Sequence, residues 1–436
     1  MNSTIKNLLT LLVMLFCVNL VQAQNPKLNK YIFGEGLVFS GEDGHKMELT
    51  GYAQPYYETS TYSNDSFNDY YTRVRMRRIR LRLSGDVEQL KMDYRFQLDL
   101  SGTSEVGDGT SNYLMDAWIA YNPTSRIKIK FGQSATPTDN RELTMGSQSL
   151  QLVERSKLTS AFSTIREFGI FAQGNFRTGG GTYLRPYLTI TNGDGLNVYN
   201  KDHGGLKVGG RVDFLPFGLF TNMGQYRQVD MMRELTPKLV IGANYSVNNG
   251  MSSRRGRNSG AILYLNDSLQ ESLPDYTKFG IDFLFKYKGF SMLGEFVTAS
   301  ASVPTDIKWR VRNDGSTSAS FDVNGKQDVE NYVKGRMMLG SAYNIQAGYI
   351  FKNLYSIDAR YTHLKADEYS FLNNGTFYNQ PNHYTFGVSK YLTKGYGFKV
   401  QTSITYSELA PWSNDIYSNP VSGGEWTYRL ITSIAF

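Results

Sequence analysis

Tyr70–Leu100 reads YYTRVRMRRIRLRLSGDVEQLKMDYRFQLDL. Arg73, Arg75 and Arg77 share one parity, with Val74 and Met76 on the other. After Arg77 the phase slips by one, and Arg78, Arg80 and Arg82 alternate with Ile79, Leu81 and Leu83. A two-residue Gly85-Asp86 connection is expected next. A second run then sets Lys91, Asp93, Arg95, Gln97 and Asp99 against Met92, Tyr94, Phe96, Leu98 and Leu100. Charge on every second residue beside continuous apolar side chains describes strands lying between water and something apolar. In a soluble protein a second sheet would cover the apolar face. Recurrence of the pattern to the last residue points instead to a barrel in lipid with a wet lumen.

An arginine facing lipid costs roughly 2–4 kcal/mol at mid-bilayer. Arg73, Arg75, Arg77, Arg78, Arg80 and Arg82 are therefore all expected to face inward, which requires a bulge at Arg77-Arg78 to reset the parity. Lys128 and Lys130 alternate with Ile127, Ile129 and Phe131 and are expected in the lumen with Lys91 and Arg95. Asp93, Asp99 and Asp116 are placed to pair with these cations and orient them. A guanidinium stays charged and offers five donors in a fork suited to oxyanions. The bland alternative is a salt-bridged lattice that only braces the wall.

Sixteen strands are predicted, at about 49–60, 71–84, 88–100, 113–122, 125–134, 166–177, 182–192, 205–215, 237–248, 277–287, 290–300, 344–351, 354–366, 382–392, 396–408 and 424–436. Reading 217–236 as a periplasmic connection bounded by Pro216 and Pro237, rather than as a seventeenth strand, puts the other short joins on one side and the long ones on the other. That segregation and an even strand number are what bacterial barrels show. The fold class is thus all-β, a 16-stranded antiparallel transmembrane outer-membrane β-barrel spanning 49–436. Tyr56, Tyr57, Tyr70, Tyr71, Tyr121, Tyr349, Tyr391 and Trp426 are candidates for aromatic girdles.

The long segment 135–165 mixes apolar Leu150, Leu152, Val153, Leu158 and Phe162 with Arg141, Glu142, Glu154, Arg155 and Lys157. It is expected to fold into the lumen as a constriction, an outer cap being the alternative. The final run Trp426–Phe436 alternates to a terminal aromatic, and Phe436 resembles the assembly signal that the barrel-assembly machinery reads in outer-membrane proteins generally.

Composition agrees. The 436 residues carry a net charge of +7, and mean hydropathy is −0.39, which excludes a helical membrane protein but not a barrel. Residues 1–23 read as a signal peptide: Lys6, the apolar run Leu8–Val18, then Val21-Gln22-Ala23. Cleavage removes Cys17, the sole cysteine, and leaves a surplus of six positive charges. Residues 24–48 are expected to be a short periplasmic lead. Export argues against nucleic acid as a partner and for small anions. The histidines His45, His203, His363 and His383 have no ligand spacing, so no metal or other cofactor is expected. No nucleophile elbow or phosphate loop stands in the chain, and no catalytic residues are assigned.

Arg75-Met-Arg-Arg-Ile-Arg-Leu-Arg-Leu-Ser-Gly85, Met115-Asp-Ala-Trp-Ile-Ala-Tyr121, and Ile129-Lys-Phe-Gly-Gln133 with Thr136-Pro137 resemble the phosphate-selective porins O and P, in the divergent form of Bacteroidetes-like bacteria. Val153-Glu-Arg-Ser156, Arg166-Glu-Phe-Gly169 and Thr236–Tyr245 extend the resemblance in the right order. It implies an outer-membrane barrel, usually a homotrimer in contact with outer-membrane lipid, with the segment after the fifth strand folded inward and Arg73 to Arg82 as an arginine ladder. The outer loops carry only scattered basic groups, such as Arg254, Arg255 and Arg257. The expected function is passive diffusion of small hydrophilic solutes with mild preference for phosphate-like anions. The alternative is a docking barrel within an outer-membrane assembly.

Overall fold

The computed structural model describes residues 27–41, 44–64, 71–102, 113–196, 198, 201–373, 380–415 and 418–436. The expected signal peptide and Tyr70 lie outside these. Sixteen strands form the wall: β1 (His45–Asn64), β2 (Tyr71–Val87), β3 (Met92–Asp99), β4 (Leu114–Thr124), β5 (Ile127–Ala135), β6 (Arg166–Gly174, continued by Phe176–Gly179), β7 (Thr182–Thr191), β8 (Lys207–Leu215), β9 (Lys238–Asn248), β10 (Asp275–Tyr287), β11 (Phe290–Ser302), β12 (Gly340–Ile350), β13 (Tyr355–Ala366), β14 (Asn382–Tyr391), β15 (Phe398–Glu408) and β16 (Ser422–Ala435). Each is antiparallel to its sequence neighbours, and β16 pairs with β1, from Ala435↔Tyr52 to Ser422↔Asn64, closing the cylinder.

The wall is inside out relative to a soluble protein. Ile127, Ile129 and Phe131 on β5 are exposed, as are Leu188 and Ile190 on β7 and Phe279 and Ile281 on β10. Gln97, Asp99, Asn244, Asp282, Gln346 and Gln401 are buried. Alternation at period two sends one set to the outside and the other to the lumen. An exterior this apolar is stable only against lipid. Among the described residues no helix is long and apolar enough to cross a membrane. On the outside, rings of Tyr343, Tyr361, Tyr384, Tyr406 and Trp426 succeed one another across five adjacent strands at 4.8–6.4 Å between centroids, a girdle of the kind that marks a membrane interface. Tyr56 and Tyr391 are not girdle residues: both are buried on the lumen side.

One expectation is overturned, and two others are incomplete. The turn after β2 is not Gly85-Asp86, because Gly85 pairs with Tyr94 and Asp86 with Asp93 inside the ladder. The chain turns at Glu88–Leu90 and leaves through Lys91 at φ 52°, a left-handed conformation. Residues 24–48 are not simply a lead. Lys27–Ile32 and Gly36–Ser40 form a hairpin whose second strand pairs with the start of β1, Leu37↔Leu49 to Ser40↔Lys46. The hairpin tip crosses to the β14–β15 turn so closely that a Cβ on Gly34 would lie 2.2 Å from the Gly397 Cα, and Gly34 holds φ +83°. Only glycine fits there.

Residues 217–236 are the third case. They join β8 to β9 at the short-turn end, yet fold back against the lumen. Lys286 on β10 donates to the carbonyls of Gly224 and Val229, both at 2.9 Å, and the Gln228 backbone N–H donates to the Ser149 carbonyl at 3.3 Å. At the opposite end the long connections build a lobe around Phe321, Val333, Met338, Leu339 and Ile307, all buried. Short turns in such barrels face the periplasm, so this lobe is extracellular.

Candidate functional site

The segment between β5 and β6 enters the barrel and is held there by buried charge. It contains two short helices, α1 (Arg141–Thr144) and α2 (Lys157–Phe162). Arg141 donates to Asp282 through Nε and to Asp213 through Nη2, both at 2.7 Å, and Arg211 contacts the same two carboxylates at 2.7–2.8 Å. Two guanidiniums against two carboxylates neutralise one another, which permits burial of all four. Glu142 accepts from Ser156 N–H at 2.8 Å, Ser156 Oγ at 2.9 Å, Thr159 Oγ1 at 2.6 Å and Gln228 Nε2 at 3.1 Å. Glu295 on β11 caps the start of α1, accepting from Glu142 N–H at 2.7 Å and Asn140 Nδ2 at 2.9 Å. Asp139 accepts from the Ile165 N–H at 2.8 Å and pairs with Lys278. Burial pushes its carboxyl up, but Lys278 and Lys207 outweigh that and hold it below the usual range.

This segment divides the lumen. The cavity at the short-turn end measures about 860 Å³ and is lined by Arg80, Arg82, Arg95, Lys128, Lys130 and Arg166 of the wall, by Met145–Ser149 of the inward segment, and by Tyr226 and Arg227 of 217–236. The cavity at the outer end, about 200 Å³, is lined by Arg73, Arg75, Arg77, Glu154, Lys157 and Arg360 among others. Arg155 lines both, and donates to the carbonyls of Met145, at 2.8 Å, and Glu142.

β2 supplies the basic wall common to the two cavities. Gln54 of β1 stands opposite Arg78 and Pro55 opposite Met76, so Arg77 is the extra residue of a bulge. Val74 and Met76 stay exposed on the outside while Arg77, Arg78 and Arg80 are buried. Arg77 meets Glu154 through Nε at 2.5 Å and Nη2 at 3.2 Å, and Arg78 Nη2 reaches the same carboxylate at 3.2 Å. Burial alone would push the Glu154 carboxyl up. Arg77 and Arg78 reverse this and hold it down to about 2. Arg80 pairs with Asp99 at 2.9 Å and donates to Ser147 Oγ at 3.1 Å.

The remaining cations fall into two groups. Asp93 pairs with Lys128, and Asp116 with Arg166 at 2.8 Å rather than with any arginine of β2. Arg73 lies over the Tyr71 ring at 4.4 Å and Arg75 over Tyr56 at 5.6 Å. Arg82 donates to Gln97 at 2.8 Å, Arg95 lies over Trp118 at 5.2 Å, and Lys130 donates to Ser134 at 2.6 Å. Among the described residues none of these five is bridged to a carboxylate. Lys91 is not brought to the lumen: it is exposed in the β2–β3 turn. Phe436 closes the C-terminal seam, its N–H donating to the Gly51 carbonyl at 3.0 Å.

Several lumen residues carried no expectation: Asp213, Asp282 and Glu295, Arg211 and Arg360, and Glu58 with Arg429, joined at 2.6 Å. Their parity is readable, since Val212 and Phe214 flank Asp213 on the outward face, but partners such as Arg141 for Asp213, or Arg429 for Glu58 across the β1–β16 seam, are distant in sequence. The four histidines stand apart, His45 on Tyr94, His203 on Glu271, His363 on Asn382 and His383 on Ser407.

Residues 52–216 match the family described as phosphate-selective porin O and P. No curated protein matches the chain by sequence. Among solved structures the barrel is similar to the outer membrane channel DcaP of Acinetobacter baumannii, at 12% identity over 91% of this chain and 99% of that one, TM-score 0.50. It is similar also to OprB of Pseudomonas putida (10% identity, 89% and 94% covered, TM-score 0.51) and OmpF of Salmonella typhi (11%, 91% and 99%, TM-score 0.50). At such identities the likeness is one of fold. Residues 52–216 thus match the phosphate-selective porin O and P family, and the closed 16-stranded wall has the fold of a bacterial outer-membrane porin barrel.

Proposed function

We propose that this channel passes small hydrophilic solutes by passive diffusion and prefers anions, phosphate-like oxyanions included. The supporting observation is the set of cations without a bridging carboxylate: Arg82, Arg95 and Lys130 around the larger cavity, Arg73 and Arg75 around the smaller. An anion entering from outside meets Arg73 and Arg75 first. It passes the Arg77–Glu154–Arg78 bridge and the neck at Arg155, then exchanges among Arg82, Arg95 and Lys130. Guanidinium forks replace the lost hydration, and several moderate sites in succession allow the ion to leave as readily as it came. No step needs a cofactor or a bond-making residue, so the barrel works as a conduit, not an enzyme. Residues 135–165 act as the constriction and 217–236 narrows the periplasmic half.

Purified protein in planar bilayers, placed across a tenfold gradient of KCl, is the test. The reading expects stable conductance steps and a reversal potential displaced towards the chloride equilibrium value. A potassium-directed displacement overturns the anion preference. Absence of steps, with a stoichiometric protein co-purifying, would favour a docking barrel instead.

A further inference from the structure

A third cavity lies away from the lumen, in the extracellular lobe. It measures about 460 Å³, and its lining shares no residue with either channel cavity. Two segments from different long connections make it: Tyr264 pairs with Arg310 and Leu265 with Trp309 in a small sheet, and the helix Val329–Lys334 brings Tyr332 and the following Arg336.

Its chemistry is lopsided. Arg310 and Arg336 each lie over the Tyr332 ring at 5.1 Å, Arg336 Nη2 donates to the Tyr332 hydroxyl at 2.9 Å, and Arg310 Nε donates to the Ser320 carbonyl at 2.8 Å. These ring, hydroxyl and backbone contacts fix the planes of both guanidiniums without neutralising them. Among the described residues no carboxylate bridges Arg310 or Arg336. Arg254 joins them in the lining and lies over Phe371 at 3.6 Å. The acid in the lining, Asp314, is fully exposed, is occupied by Ser316 N–H at 2.9 Å and Oγ at 2.7 Å, and sits next to the charge of Arg312. A second observation points the same way. Tyr264 is 3% exposed, and its hydroxyl has no hydrogen-bond partner among the described residues, a costly arrangement unless something in the cavity completes it. Burial pushes that hydroxyl up, while Arg336, Arg310 and Arg254 pull it down, so all three guanidiniums act on it.

We propose that this extracellular cavity binds a phosphate ester: the phosphate lies between Arg254, Arg310 and Arg336 with the Tyr264 hydroxyl donating to it, and the organic body rests on Ile262, Leu263 and Val311. The size argues for an ester over the bare ion, because cavities of this volume accommodate small organic ligands. Planar forks suit phosphate bidentately. The ester is either a free solute or the phosphorylated headgroup of an outer-leaflet lipid, and the site recognises what the two share.

Calorimetric titration of the folded full chain in detergent tests the site, with 4-nitrophenyl phosphate as probe and inorganic phosphate as comparison. Saturable binding is expected for the ester, at least tenfold tighter than for inorganic phosphate. R310Q/R336Q should weaken it at least tenfold with single-channel conductance unchanged. Y264F, which keeps the ring packing, should weaken it about threefold and stands as the independent variant. Displacement of the probe by lipid A micelles identifies the lipid headgroup as the source, and failure to displace identifies the free ester. Lack of saturable binding, equal binding of ester and inorganic phosphate, or unaltered affinity in the variants overturns the proposal.

Discussion

Arg77 on β2 and Glu154 on the inward segment form a two-pronged bridge, Nε to Oε1 at 2.5 Å and Nη2 to Oε2 at 3.2 Å, in the lining of the outer lumen cavity. The bulge makes this bridge. Without the extra residue at Arg77, either the outer or the inner three arginines of β2 would face lipid. Glu154 therefore both anchors the segment and cancels part of the ladder's charge.

Replacing Glu154 by Gln removes the carboxylate that buried Arg77 and Arg78 share. Losing one partner of a buried pair costs about 3 kcal/mol. E154Q should lower the temperature at which the barrel loses heat-modifiable mobility on gels, and any folded fraction should show stronger anion selectivity than the native protein.

Acid should reproduce the effect. The Glu154 carboxyl is held down to about 2 against an ordinary value of 4.5. A depressed carboxyl adds stability that is complete above its unfolded pKa and is lost as pH falls through the folded one. The part of the conductance that depends on Glu154 should change progressively between about 4.5 and 2. In E154Q that acid-dependent step should be missing from conductance traces recorded over the same range.

Arg141 carries the anchorage on the opposite wall. R141A leaves Asp213 and Asp282 sharing Arg211 alone, a loss on the order of 3–5 kcal/mol for a broken buried pair. The inward segment should loosen, seen as larger and noisier single-channel steps. Cysteines placed at Leu150 and on the β15 wall would report the same loosening through slower disulfide formation.

Gly51 accommodates the terminal ring: a Cβ there would lie 2.5 Å from Phe436. G51V should displace Phe436 and reduce the fraction of barrel assembled in membranes, as should F436A. If both assemble normally, the C-terminal ring has no part in assembly.

Much of this was legible in the sequence. Alternation such as Ile127-Lys128-Ile129-Lys130-Phe131 names both the strand and its lumen face, and the phase slip at Arg77-Arg78 names the bulge. Gly85-Asp86 misled because the pair looks like a hairpin turn, whereas β2 runs on through Val87 beyond the apolar band. The charge mixture of 135–165 marks it for the lumen, but its partners Asp213, Asp282 and Glu295 stand on β8, β10 and β11 and meet it only when the segment crosses the lumen. The prolines bounding 217–236 suggested a linker. Its capture by Lys286 depends on backbone carbonyls, which no side-chain pattern announces.

The most direct measurement is the reversal potential of the triple variant R82Q/R95Q/K130Q beside the native protein, across the same tenfold KCl gradient, with folding verified by heat-modifiability. These residues line the larger cavity, and among the described residues no carboxylate bridges them. The account predicts that the native displacement towards chloride shrinks to near zero or reverses in the variant. A reversal potential identical in the two proteins would contradict it.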